Sequence, residues 1–214
     1  MPSQNSTLYY IHDPMCSWCW AFHPNWQALK QSLLERHSGR LTIAYSLGSL
    51  AADSQDPMPE AMQKTLQAIW KNIQRKVPNT EFNFDFWTNC QPRRFTYPAC
   101  RAVIAASQQG LELESPMILA IQTAYYLHAK NPSNEAELIE IAAQLPLDIA
   151  QFKQDLNTPK CQQILEENRQ LNQRLQANSF PSLVLVHKNQ VHPISIAYLK
   201  HHRMLTTISA ILAT

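Results

Sequence analysis

Strand-like patterning in this 214-residue chain is confined to its two ends, and the long stretch between them reads as helix. Thr7 to Ile11 is rich in tyrosine and aliphatic residues, as a first strand should be. Phe22, Trp26, Leu29 and Leu33 then recur at spacings of four, three and four, one buried face of a helix that stops near Gly39. Pro24 falls inside that helix and removes a backbone donor, so its first turns should be loosened. Leu41, Ile43 and Tyr45 alternate with Thr42 and Ala44, which marks a second strand. The opening segment therefore reads β-α-β. At the far end, Leu183-Val184-Leu185-Val186 is the continuous apolar run of a buried strand. A turn around Lys188-Asn189 returns into Val191 to Ile194, giving a hairpin. A last helix is expected over Ile196 to Leu212, with Ile196, Leu199, Met204 and Ile208 among its apolar residues.

From Pro57 to Gln176 helical signals follow one another. Met58 to Val77 is one candidate, and Tyr97 to Gln109, stopped by Gly110, is another. Ser115 with Pro116 supplies a cap and a first-turn proline for a helix to about Lys130. Asn134 with Glu137 has the form of a capping box for a helix to Leu145. Thr158-Pro159 opens a further helix whose inner face would be Cys161, Ile164, Asn168, Leu171 and Leu175. Strand units at both ends can make one sheet covered by helices on both faces, an α/β architecture with a large all-helical insertion between the second and third strands.

Bulk properties narrow the function. Hydrophobic content of 45% and charged content of 16% fit a folded globular chain rather than a disordered one. The net charge of +2 is spread out, so no basic face recommends nucleic acid as a partner, and Arg93-Arg94 reads as a solvated turn. The N-terminus has neither the basic nor the apolar region of a signal peptide, and no apolar run is long enough to span a bilayer. The expected location is the cytoplasm, with no membrane partner. There, cellular thiols would keep most of five cysteines reduced, which argues against a disulfide framework.

Cys16-Ser17-Trp18-Cys19 stands at the first strand-to-helix junction. Two thiols at C-x-x-C spacing in a cytosolic chain point to thiol–disulfide chemistry. Cys16 falls at the helix N-terminus, where unpaired N–H groups and the macrodipole favour an anion and lower a thiol's pKa. Cys19, one turn further in, would be shielded and placed to attack a mixed disulfide on Cys16. The roles that follow are nucleophile for Cys16 and resolving thiol for Cys19, with Ser17 and Trp18 as supporting residues. An accessible Trp18 would also favour an apolar substrate. Zinc is the rival ligand, but a structural site needs four ligands. No second C-x-x-C is present, and His201-His202 point different ways on a helix, so no metal site is expected. Pro181 precedes the third strand and is compatible with either a cis or a trans bond; if cis, the backbone of Phe180 could pair with an extended substrate. Cys90, Cys100 and Cys161 read as small buried residues. His12 and His23 read as packing or solvent residues, and Phe82, Phe84, Phe86 and Trp87 as core.

Tyr10-Ile11-His12-Asp13-Pro14-Met15-Cys16-Ser17-Trp18-Cys19-Trp20, together with Ser179-Phe180-Pro181-Ser182-Leu183-Val184-Leu185, resembles the DsbA-like branch of the thioredoxin superfamily. It is most similar to the predicted cytosolic protein-disulfide isomerases related to FrnE. Tyr97-Pro98-Ala99-Cys100-Arg101-Ala102 also resembles a segment of that group that starts a helix beside the active site. The resemblance implies a thioredoxin-like domain from residues 1–52 and 177–214, interrupted by a helical domain over 53–176. It implies a Cys16/Cys19 redox pair, a cis Pro181 and an apolar substrate groove, with Trp18, Phe180 and Pro181 contacting substrate. Ser17-Trp18 departs from the periplasmic oxidants of this fold, which carry a thiolate-stabilising histidine there, so a less oxidising pair is expected. Ser179 stands where many relatives have glycine.

The expected function is a thiol–disulfide oxidoreductase or protein-disulfide isomerase acting on thiol- or disulfide-containing proteins or small molecules. Cellular thiol reductants would return it to its working state, with no bound cofactor and glutathione as a candidate co-substrate. A glutathione-dependent transferase or isomerase of the kappa or chromene-carboxylate type is the alternative, although those relatives place serine at the position of Cys16. A non-enzymatic partner-binding module is the second.

Overall fold

The computed structural model describes residues 6–52, 54, 56–93 and 95–214. Arg94, half of the pair read as a solvated turn, and residue 53, at the expected domain boundary, lie outside them. Contacts divide the chain into two compact units. The first comprises Met1–His12, Ala21–Gly48 and Asn168–Thr214; the second comprises Asp13–Trp20 and Ser49–Glu167. The C-x-x-C segment thus counts with the helices, although the strand before it and the helix after it belong to the first unit.

The first unit holds β1 (Ser6–His12), most of α1 (Ser17–His37), β2 (Leu41–Leu47), the end of α8 (Pro159–Arg174), β3 (Ser182–His187), β4 (Gln190–Ile194) and α9 (His201–Leu212). The sheet order is β2-β1-β3-β4. β1 runs parallel to β2 and antiparallel to β3, with Tyr10 opposite Tyr45 and Leu183. Period-two alternation sends Leu8 and Tyr10 to one face, where they meet Phe22, Trp26, Leu29 and Leu33 of α1 and Met204, Leu205 and Ile208 of α9. Ile11 and Val184 face the other way, against Leu171 and Leu175. Each fully buried side chain of these sets contributes roughly 1.5–3 kcal/mol. The hairpin turns on Lys188 and Asn189, both at positive φ (49° and 62°), as its tight two-residue loop requires.

At the outer end of β2 two asparagines of α8 replace a missing strand neighbour. Asn168 Oδ1 accepts from the Leu47 N–H at 2.9 Å, and Asn172 Nδ2 donates to the Leu47 carbonyl at 2.8 Å. The Ser46 hydroxyl donates to both side chains. α9 begins at His201 rather than Ile196. Ile196 and Tyr198 still pack on the core, but Leu199 is 60% exposed and caps nothing apolar.

In the second unit, α2 (Glu60–Lys76), α3 (Phe86–Asn89), α4 (Tyr97–Gln109), α5 (Glu114–Tyr126), α6 (Glu135–Ala142) and α7 (Ile149–Asp155) precede the first turns of α8. No strand occurs among its described residues. Small residues on α4, among them Ala99, Cys100, Ala102 and Ala105, are completely buried and let neighbouring helices approach closely. Trp70 of α2 is enclosed by Phe82, Phe84, Phe86, Trp87, Tyr125 and Tyr126, so the aromatic run is core.

Two helix starts differ from expectation. α5 opens at Glu114, running on from a 3-10 turn at Leu111–Leu113, so Ser115 lies inside it and caps nothing. It ends at Tyr126 because Ala129 takes a positive φ of 52°. Asn134 does occupy the cap of α6, but its side chain accepts from the Arg93 guanidinium, and Glu137 pairs with Lys130 at 3.1 Å instead of closing a box. α7 had no sequence expectation; Asp148 caps it by accepting from the Gln151 N–H at 3.0 Å. No helix among the described residues is long and apolar enough to cross a membrane.

Candidate active site

The chain leaves β1 at His12, turns through Asp13-Pro14-Met15 and enters α1 at Ser17. The turn is closed by the Cys16 N–H bonding to the Asp13 carbonyl at 3.0 Å. Cys16 is the N-cap of α1: its carbonyl accepts the first helical bond, from the Trp20 N–H at 3.0 Å. Its sulfur does what a capping oxygen does elsewhere, accepting from the Cys19 N–H at 3.4 Å. A negative sulfur at this position therefore meets a backbone donor and the positive end of the helix dipole.

The two thiols sit in different surroundings. Cys16 is 7% exposed and Cys19 is completely buried. Burial pushes the Cys19 thiol well above the ordinary range, and its hydrogen bond and charge coupling to Cys16 push it the same way. Cys19 accordingly stays protonated, and Cys16 is the residue of the pair that keeps some exposure. Trp18, between them, is half-buried, as is Ser17.

Asp13, three residues before Cys16, is a site residue that sequence reasoning passed over. Its carboxylate is completely buried, and four donors converge on it. Oδ1 accepts from the Met15 N–H at 2.8 Å. Oδ2 accepts from the Leu50 N–H and the Thr96 hydroxyl, each at 2.8 Å, and from the Cys100 thiol at 3.7 Å. Burial raises the Asp13 pKa against the opposing pull of those donors. Cys100 is thus buried as expected, but it also serves the carboxylate that ties down the cysteine turn. Burial, followed by the Asp13 charge, holds its own thiol well up.

The remaining cysteines lie apart from this cluster. Cys90 points its thiol at the Ala129 carbonyl at 3.0 Å, and Cys161 at the Arg101 carbonyl at 3.4 Å. Burial raises both, Cys161 to about 11. None of the five cysteines is in a disulfide. Among the described residues, no three His, Cys, Asp or Glu side chains come together as a metal would need.

Phe180 and Pro181 belong to the first unit, where they lead into β3 across a cis peptide bond. Phe180 is half-buried, and Gly48, at the end of β2, makes room for it: a Cβ on residue 48 would run into its ring. Gly48→Ala is expected to displace that ring and cost about 1–3 kcal/mol, as overpacking does. A denaturant midpoint equal to that of the parent would remove this role for Gly48.

Comparison with known proteins agrees with this architecture. The chain is 25% identical over 183 residues to the ClpXP adapter protein SpxH of Bacillus subtilis (strain 168), a match covering 85% of this chain and 58% of SpxH. It therefore spans little more than half the length of that relative. Among solved structures, a candidate protein disulfide isomerase from Nitrosomonas europaea superposes with a TM-score of 0.81 at 24% identity, covering 98% of both chains. The cytosolic disulfide reductase DsbM from Pseudomonas aeruginosa gives 0.77 at 19% identity, covering 97% of this chain and 100% of DsbM. DsbM has also been solved with GSH, and that structure superposes with a TM-score of 0.74 at 19% identity, covering 95% of this chain and 98% of the other. The fold is DsbA-like, with its helices inserted between β2 and β3. The family described as Thioredoxin matches residues 9–206, and the chain belongs to that family.

Proposed function

We propose that this protein is a thiol–disulfide oxidoreductase in which Cys16 attacks and Cys19 resolves. The observation that carries the reading is the asymmetry of the pair. Cys16 Sγ caps a helix and accepts from the Cys19 N–H at 3.4 Å, whereas Cys19 is sealed from solvent and held protonated. The Cys16 thiolate attacks one sulfur of a substrate disulfide, and the other sulfur leaves with the electron pair. Cys19 then attacks the mixed disulfide at Cys16, its proton passing to the departing thiolate. The chain ends oxidised by two electrons and the substrate reduced by two; isomerisation follows if the first adduct is instead resolved by another substrate thiol.

In this reading Phe180 and Pro181 bind the substrate backbone and Trp18 its apolar side chains. The pair works in the cytoplasm without a bound prosthetic group, and cellular thiols restore it. Glutathione is the expected co-substrate, consistent with a fold shared with a disulfide reductase solved with GSH. The kappa-type transferase reading loses ground because Cys16 itself stands at the helix cap where those relatives have serine.

The likeness to an adapter protein supports a second reading, in which the chain acts by binding a partner. Trapping separates the two. Cys19→Ser, added to cell extract, should accumulate mixed disulfides through Cys16 that reducing agent releases, and Cys16→Ser should accumulate none. Equal capture by both variants, or full cellular function in the double variant, would sink the redox reading in favour of the binding one.

A further inference from the structure

The two outer edges of the four-stranded sheet are not protected alike. A two-residue loop makes His187 and Gln190 a hydrogen-bonded pair, so alternation turns the backbone groups of Gln190, His192 and Ile194 towards β3 and those of Val191 and Pro193 outwards. Pro193 has no N–H, which leaves Val191 the sole outward donor of β4, and proline at such a place defends an edge strand against pairing. The edge of β2 is built differently. The Gly48 N–H bonds to the His12 carbonyl, and the register with β1 is parallel, so the even-numbered residues of β2 bond to β1. The N–H and C=O of Leu41, Ile43, Tyr45 and Leu47 therefore point outwards. Asn168 and Asn172 take up those of Leu47. Those of Leu41, Ile43 and Tyr45 have no partner among the described residues. No proline, glycine or charge interrupts Leu41–Leu47 to discourage a further strand.

We propose that the open edge of β2 pairs with the same edge of a second copy of this chain, antiparallel about a two-fold axis at Ile43, joining the two sheets into one. The pairing goes beyond the exchange reaction and uses neither cysteine. β2 fits itself. The axis sets Ile43 opposite Ile43 of the second copy and Leu41 opposite Tyr45, so each outward N–H meets an outward C=O. On the face towards α1 this brings together apolar side chains that one copy buries only in part. Charge raises no barrier along the ladder, since Arg40, just before the strand, falls opposite Ser46. α1 adds a second contact of complementary charge. Its Lys30 ammonium donates to the Tyr45 hydroxyl at 3.1 Å, and one turn further along that face Leu34 is 50% exposed beside a groove lined by Gln27, Gln31 and Glu35. The two-fold runs both α1 helices antiparallel on one side of the joined sheet, carrying Leu34 towards its counterpart and each Lys30 towards the other copy's Glu35. Any extended chain offers backbone groups; a second copy also offers an uncharged match for the strand and a counter-charge for α1.

One short ladder with one helix contact lies at the small end of interfaces, so sedimentation velocity of the full chain should show a monomer–dimer equilibrium with a midpoint of about 10–100 μM. Ile43→Pro removes an outward donor and no bond to β1, and should weaken the dimer about tenfold or more. Thermal melting checks that this variant folds; should it melt early, position 42 decides alone. Thr42 is exposed in the single copy, and the axis places it diagonally across from its counterpart, within reach of long side chains. Thr42→Lys and Thr42→Glu should each weaken self-association about fivefold at low salt, and an equal mixture of the two should recover a heterodimer as tight as the parent. Melting temperature and exchange activity should match the parent in both. A parent monomeric up to about 300 μM overturns the inference, since pairing of this size would populate the dimer there. A dimer indifferent to charge at position 42, or a mixture no tighter than either variant alone, overturns it as well.

Discussion

Acidification from pH 7 to pH 3 is expected to remove about 4–5 kcal/mol of folding stability through His12 alone. His12 is completely buried at the end of β1, stacked on Tyr10 at 5.0 Å and edge-on to Tyr45 at 5.8 Å. Neither ring nitrogen has a hydrogen-bond partner among the described residues. Burial, then the neighbouring His23, lowers its pKa to about 3, against the usual 6.5. With the folded pKa below the unfolded one, the unfolded chain takes up the proton first. The contribution is therefore complete above pH 6.5 and lost as pH falls to about 3. Denaturant midpoints of the parent and His12→Phe at pH 7 and pH 4 measure it. The variant should lose that steep loss and keep the slopes of other groups, among them His23, which burial shifts the same way. A variant as acid-sensitive as the parent would show that His12 is not the group responsible.

Asp13→Ala should cost about 3 kcal/mol, because it strands the N–H groups of Met15 and Leu50 in a dry site along with the Thr96 hydroxyl and Cys100 thiol. Exchange activity should fall with it, since the turn that presents Cys16 loses its anchor. The titration of Asp13 opposes that of His12. Burial raises its folded pKa above the unfolded value, so its contribution is full below about pH 3.9 and is lost as pH rises through the folded pKa. Asp13→Asn, which keeps one acceptor, should be milder at neutral pH and should lose stability more steeply than the parent at the acid end. An Asp13→Ala midpoint equal to the parent's at pH 7 would mean that the four donors find other partners.

Local signals were readable wherever local forces decide. Strand alternation placed β1 and β2, the Lys188-Asn189 turn placed the hairpin, and Gly110 ended α4 where expected. The cysteine pair was legible for the same reason, since its spacing and its junction lie within one stretch of chain. What escaped depends on distant partners. Ser115 and Asn134 have the chemistry of caps, but a preceding 3-10 turn and the Arg93 guanidinium decide otherwise. Asp13 was visible within the motif and silent about its role, because Thr96 and Cys100 reach it from 83 and 87 residues away. α7 was the avoidable omission: Asp148 with Gln151 is a cap signature.

The assignment of Asp13–Trp20 to the helical unit carries a consequence for anyone trimming or recombining this scaffold. Excising residues 49–167 to leave a minimal four-stranded protein would keep both cysteines and their sequence spacing. It would also discard Leu50, Thr96 and Cys100, which satisfy Asp13, and Tyr126, against which Trp20 rests. Exchanging that insert between relatives would likewise transplant the environment of the thiols while leaving the motif untouched. The two cysteines lie within Asp13–Trp20, but the surroundings that distinguish them are supplied by residues 49–167.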